Sequence, residues 1–187
     1  MSESSPEHPN FTDDQIHSIC LAIDHLRQFT EGYLHTKRLD EDPRASSHLR
    51  LFMSSGLITY LDGLYESRKS GVLPILRLVG FNKAANMIEV ALDTPIGPRT
   101  YGQILRILRN KNVAHPQFRP ELFAELVQAS HDIEASGDEF RNADRELKTI
   151  TAGLYPIFQK HFPQLVEQTD RWLRSVEGVD HPPSPSS

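Results

Sequence analysis

The 187-residue chain is poor in the residues that build covalent or cofactor-based sites: it has one cysteine, Cys20, and one tryptophan, Trp172. A lone cysteine allows no intrachain disulfide and no cysteine-based zinc site, which favours a reducing compartment, and a cytoplasmic location is expected. No apolar run is long enough to span a bilayer, and the N-terminus lacks a basic segment followed by an apolar one, so neither membrane insertion nor export is expected. Glycine-rich phosphate loops, a serine nucleophile elbow and a dinucleotide fingerprint are all missing. Strict apolar–polar alternation is nearly absent, which argues against sheet. The formal net charge is −5. The chain as a whole is therefore no electrostatic sponge for nucleic acid, and any such contact must come from a local basic patch.

What is present is helical periodicity. Residues 1–10 and 177–187 are polar and rich in Ser and Pro, and are expected to be disordered tails around one domain, 11–176. Phe11-Thr12-Asp13-Asp14-Gln15 has capping-box spacing, and Ile16, Ile19, Ile23, Leu26 and Tyr33 then recur at helical intervals. This predicts a helix to about His35, followed by an acidic loop over 37–44 that ends near Pro43. Ser46 or Ser47 caps a second helix with Leu51, Ile58, Leu61 and Tyr65 on one side, in which Gly56 and Gly63 suggest close approach of a neighbour. Ser70-Gly71 should end it. Pro74 suits the first turn of a third segment, 75–92, open to interruption at Gly80-Phe81-Asn82, where Asn82 can cap anew.

Thr94-Pro95-Ile96-Gly97-Pro98 is the strongest breaker, and Thr100 with Gln103 repeats the capping-box spacing to start a fourth helix. Pro120 opens a fifth with Leu122, Leu126, Ala129 and Ile133 in step. Ser136-Gly137 separates it from a sixth carrying Phe140, Leu147, Ile150 and Leu154, which Pro156 should kink or end. Pro163 precedes a last segment in which Trp172 docks beside Leu165, Val166 and Leu173. The expected fold is all-α, an up-down helical bundle with additional C-terminal helices.

One helix end is unlike the others. From Ile104 to Pro116 an apolar seam (Ile104, Leu105, Ile107, Leu108) turns abruptly into Arg109-Asn110-Lys111-Asn112-Val113-Ala114-His115 and stops at proline. At 100° per residue His115 falls on the apolar stripe, while Arg109 points about 120° away and about 9 Å along the axis. Pro116 biases His115 out of helical geometry, which frees the imidazole to turn toward Arg109. A group that titrates near neutrality beside a permanent cation suits metal-independent phosphodiester chemistry, with one moving protons and the other holding phosphate.

Arg109-Asn110 followed by His115 resembles the signature of the HEPN superfamily: an arginine, then a polar residue, then a histidine after four to six intervening positions. Arg174 and His181 match the bare spacing too, but Arg174 is followed by Ser and no helix leads to the histidine. The resemblance implies a helical bundle that forms a homodimer, with two signature helices lining one composite cleft. It also implies an endoribonuclease that needs no metal or other cofactor and cleaves RNA by 2′-hydroxyl attack, leaving a 2′,3′-cyclic phosphate. Many such proteins serve toxin–antitoxin, abortive-infection or antiphage systems, so an antitoxin or defence partner protein is implied as well. By position, His115 is the general acid/base, Arg109 the phosphate clamp and Asn110 the orienting polar residue. Arg106, Lys111 and Asn112 are added as RNA-backbone contacts on charge and proximity. Relatives silenced by adenylylation often carry a tyrosine two residues after the histidine. Gln117 stands there, so that control is not expected here.

Against this stands a plainer account, in which Arg109 is salt-bridged at a helix end and His115 satisfies the last carbonyls. The chain is then a catalytically silent helical module that scaffolds or binds a partner protein. The other candidates are weaker. Asp14/His17 and Glu31/His35 have helical spacing but lie on different sides of the first helix, so an exposed polar face is expected rather than a metal site. His48, His131 and His161 are isolated, and Cys20 reads as a small buried hydrophobe.

Overall fold

A computed structural model describes residues 11–65, 71–113 and 120–176, with side chains throughout except at 51, 111–113, 120–122 and 176. The expected tails at 1–10 and 177–187 lie outside the described residues. The fold is all-α. Its described helices are α1 (Asp13–Glu41), α2 (Ser47–Tyr65), α3 (Val72–Leu78), α4 (Asn82–Asp93), α5 (Tyr101–Val113), α6 (Pro120–Ser136), α7 (Asp138–His161) and α8 (Pro163–Val176).

The caps expected for α1 and α5 are both formed. Thr12 and Gln15 bond reciprocally at 2.9 and 3.3 Å, and Thr100 and Gln103 repeat the same two distances. Each box satisfies two backbone donors that the first helical turn leaves without carbonyls. Ser46, not Ser47, caps α2 by accepting from the Leu49 N–H at 3.2 Å.

Helix α1 corrects one expectation: it continues through Lys37–Glu41, where a loop was predicted, and ends only at its C-cap Asp42. Lys, Arg, Leu and Glu are good helix formers, and the true stop is Pro43. Arg50 of α2 completes the end, its guanidinium donating to the carbonyls of Leu39 at 3.1 Å and Asp42 at 2.6 Å. The break at Gly80 is present. Gly80 (φ 84°) lets its own N–H reach the Arg77 carbonyl and that of Phe81 reach Leu76, the paired bonds of a Schellman stop. Phe81, not Asn82, then occupies the N-cap of α4.

The 94–98 breaker is a small antiparallel hairpin, β1 (Pro95–Ile96) and β2 (Arg99–Thr100), pairing Pro95 with Thr100 and Ile96 with Arg99. Gly97 makes its turn at φ 60°. Ile96 is fully buried, and Arg99 forms an ion pair with Asp132 of α6, which also accepts from Gln128 at 3.2 Å. Pro156 does not end its helix either, since α7 runs on to His161. A proline at 156 cannot donate to the carbonyl of residue 152. That carbonyl accepts instead from the Thr30 hydroxyl at 3.3 Å, a proton Thr30 shares with the Leu26 carbonyl at 2.7 Å.

Helix α1 lies at the centre of the bundle, packed on α2, α7 and α8, and α5 is sandwiched between α2 and α6. The core joins Ile19, Ile23, Leu26 and Phe29 of α1 to Leu61 of α2, Ile88 of α4, Ile104 of α5, and Leu147 and Phe158 of α7. Trp172 of α8 meets the His17 ring edge-on at 5.8 Å, the docking expected of it. Cys20 is buried. Among the described residues no helix is long and apolar enough to cross a membrane.

Candidate functional site

The seam of α5 is buried as its pattern predicts: Ile104, Leu105 and Ile107 all enter the core, and Leu108 packs against it. This fixes the helix in rotation, so the residues after the seam project from known positions. Arg109 follows directly. Its Nη1 lies 2.7 Å from Oδ2 of Asp62 on α2, in a pair whose side chains are 22% and 4% exposed respectively. Its Nη2 donates to Oδ1 of Asn110 at 3.4 Å, a long bond between neighbours in sequence.

Arg106, one turn earlier, is exposed and lines a cavity of about 260 Å³ with Asp62, Tyr65, Asp93, Thr100 and Gln103. Tyr65 meets the start of α5 across this cavity, while Asp62, earlier in α2, meets Arg109 further along α5. The two helices therefore run antiparallel. Lys111 and Asn112 belong to α5, but their side chains are outside the description, and His115 lies outside the described residues altogether. The structure thus brings together Arg109, Asn110 and Arg106 of the expected set.

Asp62 was missed in the sequence, although a signal was there. It stands four residues after Ile58 and three before Tyr65, a charge inside the apolar face of α2. A carboxylate on a buried face calls for a cation across the helix interface. Arg109 supplies it.

Burial raises the Tyr65 phenol above its ordinary range, and the bond with Thr151 at 2.8 Å only partly opposes this. Tyr101, at the start of α5, is raised by burial and then by the charge of Asp144, to which it donates at 2.8 Å. Both hydroxyls are structural ties rather than acids or bases at neutral pH. Among the described residues no three His, Cys, Asp or Glu side chains are grouped so as to hold a metal ion.

Comparison of the chain with protein-family models, with curated proteins and with solved structures finds no match.

Proposed function

We propose that the chain is a HEPN-type endoribonuclease that acts as a homodimer, with Arg109, Asn110 and His115 as its catalytic set. The observation that carries the reading is the sequence Arg109-Asn110-x4-His115 at the end of a helix whose apolar half is sunk in the core. In this reading the ribose 2′-oxygen attacks the adjacent phosphorus, a new 2′-O–P bond forms and the P–O5′ bond breaks. The 2′-hydroxyl loses its proton and the departing 5′-oxygen gains one, with His115 moving protons. Arg109 neutralises the charge that builds on the phosphoryl oxygens. Arg106, Lys111 and Asn112 hold the flanking backbone, which keeps RNA binding local and salt-sensitive on an acidic protein. A toxin or antiphage role in the cytoplasm, restrained by an antitoxin or defence partner, goes with this activity.

Dimerisation through the signature end has support in the surface. The antiparallel run of α2 places its first half beyond the end of α5, where α6 begins. Leu49 and Phe52 on α2 and Phe123 and Val127 on α6 are exposed, Phe52 the most at 74%, and both helices pack against α5. Exposed apolar side chains on helices that flank the signature helix suit association.

The test is cleavage of single-stranded RNA in EDTA by wild type, His115→Ala and Arg109→Lys. The last keeps a cation beside Asp62 and so separates chemistry from folding. Wild type is expected to leave 2′,3′-cyclic phosphate ends, with a loss of at least about 100-fold in either variant. Equal cutting by all three proteins, or none by any, removes the ribonuclease reading. Phe52→Glu is expected to shift the light-scattering mass from dimer to monomer, and a wild-type monomer at micromolar concentration removes the composite cleft.

A second reading has its own observation. Arg109 is held by Asp62 in the manner of a structural ion pair. That favours a catalytically silent module that binds a partner protein, and the outcome to match is RNA left intact by a folded dimer.

A further inference from the structure

We propose that Asp62 is the positioning residue for Arg109, a role that rests on the ribonuclease reading above. Asp62 lies on the face of α2 that packs toward α5, and its side chain is 4% exposed. Nothing in the signature requires an acid at this place. Burying a carboxylate is unfavourable unless a cation meets it, and here the cation is the clamp residue itself, 2.7 Å away.

The geometry explains what this does for Arg109. A guanidinium is a rigid plane, so fixing its nitrogens fixes the direction in which the whole fork faces. Asp62 touches Nη1 and Asn110 touches Nη2. One nitrogen therefore meets a carboxylate of a different helix in an ion pair, and another makes a long hydrogen bond to the signature's own polar residue. Arg109 remains 22% exposed, so the side chain reaches from a buried anchor to the surface. A donor aimed in advance needs no reorganisation as charge develops on a phosphate, which is the condition for large electrostatic stabilisation.

The same arrangement has a cost in binding. Asp62 offsets the charge of Arg109, which weakens ground-state attraction for RNA while it aligns the fork for the reacting state. Losing Asp62 therefore moves the two quantities in opposite directions, whereas a structural defect lowers both.

The experiment compares wild type, Asp62→Asn and Asp62→Glu as full-length chains with a short single-stranded RNA in EDTA, with single-turnover rate, affinity at several salt concentrations and melting temperature all recorded. Asp62→Asn is expected to cut roughly 10- to 100-fold more slowly, the size of effect seen when a catalytic group is slightly misplaced. It is also expected to bind RNA at least as tightly as wild type, with a salt dependence steeper by up to about 0.7 in log–log slope, one more phosphate contact on a single strand. Asp62→Glu restores part of the rate. A wild-type rate in Asp62→Asn overturns the positioning role, and so do rate and affinity that fall together with the melting temperature and are not recovered by Asp62→Glu. Wild type inert on every RNA is a different result, visible before any substitution, and removes the ribonuclease reading and this role with it.

Discussion

The Thr30 hydroxyl donates to the carbonyl that Pro156 leaves without a helical partner, and it does so from a neighbouring helix. Replacing Thr30 with Val keeps the shape of the side chain and removes the donor, so Thr30→Val is expected to cost about 1 kcal/mol, the usual net worth of one such bond. Pro156→Ala restores an N–H to α7 and supplies that carbonyl with its normal partner. In that background Thr30→Val is expected to cost less. A double-mutant cycle by urea unfolding measures the difference, and additive effects would show that the two sites are independent. Residues with this kind of role are hard to see in a sequence. Thr30 reads as an ordinary polar position until the helix opposite it is known to contain a proline.

Glycine shows the same limit at the scale of elements. Gly56 and Gly63 were expected to let a neighbour approach α2, yet a Cβ at either would meet nothing within 4 Å. The close approaches occur elsewhere: a Cβ at Gly32 would lie 3.4 Å from Leu57 Cδ2, and one at Gly102 would lie 3.3 Å from the Leu92 carbonyl oxygen. Gly56→Ala and Gly63→Ala are therefore expected to stabilise the protein by about 0.5–1 kcal/mol each through helix propensity. Gly102→Ala is expected to destabilise it by about 1–3 kcal/mol, because backbone cannot yield as a flexible side chain does. Thermal unfolding of the three variants checks both signs. Elements set by local chemistry were legible: the Thr12 and Thr100 capping boxes, the Gly80 stop, the proline-led α6 and α8, and the buried seam of α5. The extra turn of α1 was not, because Arg50 closes it from the next helix. In the site, Arg109 and Asn110 could be found from their pattern, while Asp62 required knowing which face of α2 meets α5.

For the whole molecule, the half-buried Tyr60 and the buried Tyr65 and Tyr101 set an alkaline limit. Burial and the charge of Asp24 push Tyr60 up to about 12, and Tyr65 and Tyr101 are raised as well. Unfolded tyrosine ionises near pH 10. The folded state thus holds these protons more tightly, and their contribution is complete below about pH 10 and is lost as pH rises through the folded values. Urea midpoints are expected to be level from pH 8 to about 9.5 and to fall beyond, with phenolate absorbance appearing as the chain unfolds. Tyr101→Phe should flatten that decline. A Tyr101→Phe variant whose urea midpoints fall as steeply as those of wild type above about pH 9.5 would contradict it.

The hairpin at 95–100 also governs how the chain could be divided. Strand β2 leads directly into α5, and its Arg99 grips Asp132 near the far end of α6, where Gly97 would place a Cβ 3.5 Å from Asp132 Cβ. Helices α5 and α6 are therefore joined twice, once by the covalent connection at 114–119 and once by this clasp at their opposite ends. A chain severed between Val113 and Pro120 keeps the second joint, and two co-expressed halves divided there should assemble into one particle. The packing of α1 on α7 and α8 also crosses that cut, so Arg99→Ala should weaken the association of those halves without separating them, while the uncut protein still folds.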